Sequence, residues 1–350
     1  MYKARTNTGN PNDPVSQQTQ TSEGSSGLSP ADVPKKMVLA GGKGFIGAYL
    51  SRYYEALGYQ VIVITRHPDG DRNPRAGAGA CKEVAWHDQQ GLLRALEGAS
   101  LVVNLAGKSV NCRYTAGNKA EILRSRLEST RLLGEGILAC QQPPAVWINS
   151  STATIYRHAE DREMTEEDGE IGAGFSVSVA KAWEAAFFGF ELPHTRQAAL
   201  RISIVLGRGG GALPPYINLV KTGAGGRQGN GCQMFSWVHI HDLAEAVHYI
   251  EKQGLAGVFN LASPGAVTNK VFMQRLRAAV NAQKGFNLGK IIALPTPAIL
   301  LKLGAGIIGT ASELLLKSRW VYPQNLLEKG FVFRYPGVEE ALTEILSSKG

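Results

Sequence analysis

Three glycines spaced three apart, Gly41, Gly44 and Gly47, stand between an apolar run over 37–40 and a helical pattern whose apolar side carries Tyr49, Leu50, Tyr53, Tyr54 and Leu57. Strand, tight turn, helix is the predicted local structure. Residues without a Cβ let backbone come close to a pyrophosphate at the positive end of a helix. The same spacing also suits a glycine-rich turn of any α/β protein, so its surroundings must decide. A second apolar run over 61–65 ends in Thr65, Arg66 and His67. In a doubly wound sheet that position meets the adenosine ribose, where a carboxylate would bind the 2′-hydroxyl and select NAD. No acid stands there. Arg66 offers a guanidinium fork to a 2′-phosphate, and Thr65 and His67 can add donors. The residues therefore predict NADP(H) over NAD(H), against the plainer reading of a solvated arginine at a strand end. A fourth strand ends Asn104-Leu105-Ala106-Gly107, small enough for a nicotinamide ribose to lie against backbone.

These groups need elements to hold them. From residue 35 strand and helix signals alternate. Strands are predicted over 37–40, 61–65, 83–86, 101–105, 146–150, 200–206 and 258–261. Helices are predicted over 44–57, 89–97, 117–140, 175–190, 241–252 and 269–281. That alternation gives an α/β fold with a parallel, doubly wound sheet, whose ligand sits at the carboxyl ends of the strands. After 262 prolines and glycines punctuate short helices over 296–303, 311–316, 323–329 and 337–347. The expected organisation is a tail over 1–34, a nucleotide-binding domain over 35–262, and a smaller, mostly helical cap over 263–350 that also takes in 207–236. The tail is rich in Ser, Thr, Gly, Asn, Gln and Pro, cannot bury enough apolar surface to fold, and is expected to be disordered.

The 350 residues are 44% apolar and 19% charged, enough for a sizeable core. No uninterrupted apolar run reaches the roughly 18 residues of a membrane span. Cys81, Cys112, Cys140 and Cys232 are far apart, and the histidines lack zinc spacing, so a reduced compartment and no metal are expected. The net charge is +8, but the basic residues are scattered and no basic run interleaves with aromatics, which argues against nucleic acid as partner. An anionic cofactor accounts for part of the excess. The tail lacks an Arg-rich amphipathic helix and carries Asp13, Glu23 and Asp32. A cytoplasmic protein is the expectation, with mitochondrial or plastid import left open.

The stretches 40–47, 102–107, 125–128, 201–207 and 236–242 resemble an extended short-chain dehydrogenase/reductase. More narrowly, the Trp183-Glu184 pair, the run from Gly207 to Leu213, and the C-terminal segments 312–316, 321–323 and 330–336 resemble the atypical "epimerase family protein" subgroup, which ends in a domain of unknown function. The resemblance spans 36–347. It implies an NADP(H)-binding Rossmann domain whose cofactor contacts are Gly41, Gly44, Phe45, Ile46, Gly47, Thr65, Arg66, Leu105, Ala106, Glu121, Arg126 and Val205. Read alone, Glu121 and Arg126 would be a helix-surface ion pair. Lys43 replaces the usual threonine of the glycine turn; it either reaches a phosphate or projects into solvent. Members of the wider superfamily often pair through Rossmann-domain helices, so a homodimer falls within the expectation, though nothing in the sequence fixes it.

Members of the superfamily use a Tyr four residues before a Lys as proton carrier, with a Ser or Thr on strand five polarising the substrate oxygen. Residues 150–156 fit that strand, with Ser151 or Thr152 in the polarising position. The Tyr–Lys pair is missing. Anchoring the helix on Lys181 puts Val177 where Tyr belongs; anchoring on Glu184 puts Ser176 and Ala180 at the two positions. Tyr156 is the nearest substitute, although the aromatic at this place is more often structural, and His239 and His241 are weaker candidates. Phe235 stands where nucleotide-sugar enzymes carry an arginine for the sugar nucleotide's diphosphate, which disfavours that substrate. Phe235, Trp237, Tyr156 and Met234 suggest an apolar pocket or, equally, ordinary cap core. The expectation is an oxidoreductase acting on a small carbonyl or alcohol. A non-catalytic NADPH-binding sensor or scaffold is the alternative, and a nucleotide-sugar epimerase the weaker one.

Overall fold

A strand apolar along its whole length can be covered on both faces, and its alternate residues then enter two different cores. In β1 (Lys36–Ala40), Met37 and Leu39 enter one core while Val38 and Ala40 enter the other. The computed structural model describes residues 34–68, 82–283 and 317–347. The tail up to residue 33, Cys81 and the helices predicted over 296–303 and 311–316 lie outside those residues.

The central sheet has seven strands in the order β10-β6-β5-β4-β1-β2-β3, and every neighbouring pair is parallel. Its members are β1, β2 (Gln60–Thr65), β3 (Lys82–Ala85), β4 (Leu101–Asn104), β5 (Val146–Thr152), β6 (Arg196–Ile202) and β10 (Gly257–Leu261). Parallel strands need crossovers, and the helices that make them fill the two faces. One face is covered by α1 (Phe45–Ala56) and α6 (Ile240–Lys252), the other by α2 (Gln89–Leu96), α3 (Ala116–Leu138) and α4 (Phe175–Phe188). The chain leaves β1 toward β2 on one side and reaches β4 on the other, so the order reverses between β1 and β4. That switch point opens a crevice at the strand C-termini.

The predicted strand over 200–206 is two strands. After β6 the chain breaks at Ser203, whose backbone N–H and hydroxyl both donate to the Leu261 carbonyl, at 3.1 and 2.9 Å. β7 (Ile204–Leu206) then leaves the sheet and pairs in parallel with β9 (Trp237–His239). A third core lies beyond it. It joins α5 (Leu213–Lys221), α7 (Asn269–Gln283) and α9 (Val338–Ser347) around Phe235, Trp237 and Phe272, beside the short antiparallel pair of β8 (Met234–Phe235) and β11 (Val267–Thr268). The C-terminal segment divides between cores. Leu326 of α8 (Gln324–Glu328), Phe331 and Phe333 pack into the sheet-side core, while α9 packs on α7. Among the described residues no helix is long and apolar enough to cross a membrane.

Candidate functional site

The glycine turn has the shape the sequence predicts, and its glycines have separate reasons. Gly41 has φ +84, and a Cβ there would lie 2.9 Å from the Leu105 carbonyl carbon. The turn and the exit of β4 are thus pressed together at the switch point. A Cβ on Gly47 would collide with the Gly41 carbonyl oxygen and lie 2.7 Å from the Gly42 Cα, so only glycine lets α1 start this close to β1. Gly44 is the N-cap of α1. No side chain caps that end and no acid occupies its first turn. In contrast, Asp88 caps α2 and Thr115 caps α3. The positive end of α1 is left to whatever sits in the crevice. The turn residues Phe45 and Ile46 pack against the sheet-side core. The Phe45 ring is crossed by the glycine-rich loop that follows β7: a Cβ on Gly207 or Gly211 would lie 2.9 or 2.7 Å from it. This contact accounts for Gly207, Gly210 and Gly211, while Gly209 has φ +75.

Thr65 ends β2, half-buried, and its hydroxyl accepts weakly from the His67 N–H at 3.4 Å. Arg66 is exposed just beyond it. No hydrogen bond or ion pair joins its guanidinium to a described residue. Lys43 crosses from the turn to the same region, where it donates to the His67 carbonyl at 2.8 Å and pairs with Glu83 at 3.2 Å. Its ammonium is therefore engaged at the ends of β2 and β3 and does not simply project into solvent.

The exit of β4 is shaped by Asn104, the strand's last residue. Asn104 is fully buried, and its side-chain N–H group donates to Asn149 at 2.8 Å and Thr130 at 3.3 Å. Its carbonyl oxygen accepts from the Ala106 N–H at 3.0 Å, which fixes the course of Leu105 and Ala106. An amide closing an otherwise apolar strand was the available signal, because a buried amide must be hydrogen-bonded. Beside it, Arg126 is half-buried over the Trp183 ring, 5.0 Å from its centroid, and donates to the carbonyls of Lys108 at 3.1 Å and Ile122 at 2.9 Å. Burial holds its pKa below the ordinary guanidinium value. It makes no pair with Glu121. That carboxylate is taken by Arg124, at 2.9 and 3.0 Å, on the outer side of α3. Val205 lies in β7, nearly buried, its carbonyl under the 207–211 loop.

The three residues proposed for catalysis lie in or just after β5, and all are engaged. Ser151 is 3% exposed and donates its hydroxyl proton to Glu184 at 2.5 Å. Thr152 accepts from the Thr154 N–H at 3.1 Å and bonds the Thr154 hydroxyl at 3.0 Å, capping a short 3₁₀ turn over Ala153–Ile155. Tyr156 is 2% exposed; it donates to Asn260 at 2.8 Å and accepts from Arg201 at 2.8 Å. Burial pushes its phenol above the ordinary value, against the pull of Arg201. Proton transfer near neutral pH would need the opposite shift. Arg201 in turn grips Glu184 with two hydrogen bonds, at 3.0 and 2.9 Å. Burial opposes its charge, yet Glu184 and the Tyr156 oxygen hold the guanidinium above its ordinary value. On α4, Lys181 is exposed while Val177 and Ala180 are buried, and no hydrogen bond or ion pair joins the lysine to this cluster.

Phe235 stacks on Phe272 with centroids 4.1 Å apart, edge-on to Tyr216, and is 5% exposed; Trp237 is fully buried and donates to the Gly265 carbonyl at 3.1 Å. With Tyr156 also buried, three of the four aromatic and sulfur side chains considered for an apolar pocket are core. His239 caps α6 through Nδ1, which accepts from the His241 N–H at 3.1 Å, and its Nε2 meets Glu344 at 3.0 Å. Both ring nitrogens serve structure. His241 bonds the Tyr49 hydroxyl at 3.1 Å. Among the described residues no group of His, Cys, Asp and Glu side chains could hold a metal ion.

A seven-stranded parallel sheet with its order reversing at a glycine turn, and helices on both faces, defines a Rossmann-type α/β protein. The chain belongs to the NAD dependent epimerase/dehydratase family, whose profile matches residues 37–262. A second profile, a domain of unknown function (DUF1731), matches residues 296–345. The human epimerase family protein SDR39U1 is 31% identical over 318 residues, which cover 89% of this chain and all of that protein. The epimerase family protein YfhF of Bacillus subtilis is 28% identical over 315 residues, covering 89% and 98%. Among solved structures, human SDR39U1 (isoform 2) with NADPH superposes with a TM-score of 0.75 at 29% identity, covering 90% of this chain and all of that one. The nucleoside-diphosphate sugar epimerase from Corynebacterium glutamicum gives 0.67 at 25% identity, covering 90% of this chain and 58% of that one.

Proposed function

We propose that this chain is an NADP(H)-dependent oxidoreductase of the atypical extended short-chain dehydrogenase/reductase class, acting on a small carbonyl or alcohol. The observation that carries the reading is the exposed Arg66 at the tip of β2, with no carboxylate in the position that would select NAD, beside an uncapped α1 N-terminus. The human relative solved with NADPH supports the same cofactor. Gly41, Gly44, Phe45, Ile46 and Gly47 would seat the pyrophosphate. Thr65 and Arg66 would hold the adenosine phosphate, and Leu105, Ala106 and Val205 would border the nicotinamide half. NADPH, when bound, supplies a hydride. Arg126 would act from beneath, holding the loop after β4 in place. Glu121 serves this scheme only by exchanging Arg124 for the cofactor.

The substrate oxygen would be oriented by Ser151 or Thr152. Either hydroxyl must give up a present partner to donate to a carbonyl. Ser151 donates to Glu184, so in this arrangement it can accept a hydrogen bond from an alcohol but has no proton left for a carbonyl. Tyr156 is the less suitable proton carrier because its hydroxyl is buried and doubly bonded, which leaves water as the better one. Tyr156→Phe tests this. It leaves the Asn260 oxygen and an Arg201 N–H without their partner, so unfolding free energy falls by about 1–3 kcal/mol, while turnover of the folded enzyme stays within a few-fold. A loss of kcat of a hundredfold or more, with an unchanged denaturation midpoint, would make Tyr156 the proton carrier.

The missing Tyr–Lys pair favours one other reading, a non-catalytic NADPH-binding sensor or scaffold. A panel of small aldehydes, ketones and alcohols, followed by NADPH absorbance, separates the two. Turnover of any of them supports the enzyme; tight NADPH binding with no turnover on any supports the sensor. Nucleotide-sugar epimerisation is disfavoured by Phe235, a stacked core aromatic in place of a diphosphate-binding arginine.

A further inference from the structure

The described residues enclose a cavity of about 720 Å³ that the scheme above does not use. It runs down one side of α1, from Gly44 and Phe45 past Tyr49 to Arg52, and is closed by the loop after β7, the start of α6, Arg334 and Tyr335, and α9. It shares Gly44 and Phe45 with the proposed pyrophosphate seat. Gly41, Ile46, Gly47, Thr65, Arg66, Leu105, Ala106 and Val205 are not in its wall. Its size falls in the range of roughly 300–1,000 Å³ typical of small-molecule sites.

Its charge is lopsided. Arg52, Arg208 and Arg334 all line it, and all three are exposed to it or to solvent. Arg52 and Arg208 have no hydrogen-bond or ion-pair partner among the described residues. Arg334 has no carboxylate on its guanidinium, which lies 5.7 Å from the Tyr335 ring centroid and 3.4 Å from His241 Nε2. Its backbone is nonetheless fixed, because buried Asp242 accepts from the N–H groups of Arg334 at 2.8 Å and Tyr335 at 3.0 Å. Lys43 also lines the cavity, but it is paired with Glu83. The cavity's carboxylate, Glu344, is met by His239 Nε2 at 3.0 Å. Glu245, near the α6 end, takes the Tyr53 hydroxyl at 2.7 Å. Three guanidinium charges thus remain without an acid of their own in one concave site. Such a site concentrates anions, and guanidinium forks match the oxygens of phosphate and carboxylate groups. The Tyr49 and Tyr335 side chains in the wall offer an aromatic surface to the body of a ligand.

We propose that this cavity binds a multiply charged oxyanion, a small molecule carrying phosphate or several carboxylates, at the same time as the dinucleotide and apart from it. This goes beyond the oxidoreductase reading and does not depend on turnover. The test is calorimetric titration of the full chain, saturated with NADPH, with inorganic pyrophosphate and, separately, with citrate. Saturable binding of one anion per chain is expected, weakened at least tenfold by Arg208→Gln and by Arg334→Gln, with NADPH affinity changed less than twofold and the thermal midpoint unmoved. Binding of pyrophosphate alone identifies phosphate as the recognised group; binding of both extends it to carboxylates. The proposal is overturned if neither anion binds, if the two variants bind as the parent does, or if NADPH displaces the anion, which would make the seat the dinucleotide's own. Should NADPH itself fail to bind, the cofactor reading falls. The same titrations on the free chain and its two variants then still decide the cavity.

Discussion

Arg66→Ala is expected to weaken NADPH binding by roughly 30- to 150-fold while changing NADH binding less than about threefold. The contact proposed for it is a charge-assisted pair with the 2′-phosphate, worth about 2–3 kcal/mol, and NADH has no such phosphate. Because Arg66 is exposed and joined to no described residue, its removal disturbs no packing, and the denaturation midpoint of the free protein should hold. Fluorescence titration with both dinucleotides measures the ratio directly. An equal loss for both would mean that the guanidinium does not read the phosphate.

Glu184→Ala should have the largest effect on stability of any single change around β5. Glu184 and Arg201 have side chains only 12% and 10% exposed, joined by two hydrogen bonds. Removing the carboxylate strands a buried guanidinium and releases the Ser151 hydroxyl. Breaking such a pair from one side costs about 3–5 kcal/mol. The control is the double substitution Glu184→Leu with Arg201→Met, which removes both charges and should recover most of the loss, since apolar replacement of a buried pair is often close to neutral. Urea denaturation of the parent, the single and the double variant reads the three values. A double variant no more stable than the single one would show that the cluster is held by more than its ion pair.

The same cluster explains why the candidate site was only half legible. The cofactor side is local: Gly41, Gly44 and Gly47 are close in sequence, and Gly41 and Gly47 are required by contacts within one strand–turn–helix unit or with the neighbouring β4 exit. Spacing and residue type therefore predict it, and Arg66 follows from its place at the end of the next strand. The fate of Ser151, Tyr156 and Glu184 depends on partners far along the chain. Asn260 is 104 residues from Tyr156 and Arg201 is 45. No short-range pattern says that these groups saturate one another and so leave little free for a substrate. Phe235 and Trp237 are a similar case. Whether an aromatic lines a pocket or fills a core turns on what packs against it, here Phe272 and Tyr216.

Periodicity also shows its limit at 200–206. Its residues read as one strand because each is compatible with extended backbone, but Ser203 breaks it where β7 changes partners from the sheet to β9. The arginine cavity lies at the far end of the same scale. Arg52, Arg208 and Arg334 look scattered in the sequence, and only the docking of α9 and the 334–335 segment against α1 and α6 brings them to one wall. What the chain determined by itself was the alternating α/β pattern, the glycine turn and the residue at the tip of β2, because those depend on bonding and sterics within a few residues. What the tertiary structure decided was which polar groups are spent on one another and which cations face an open cavity, because burial and pairing are set by segments that meet only when the sheet closes.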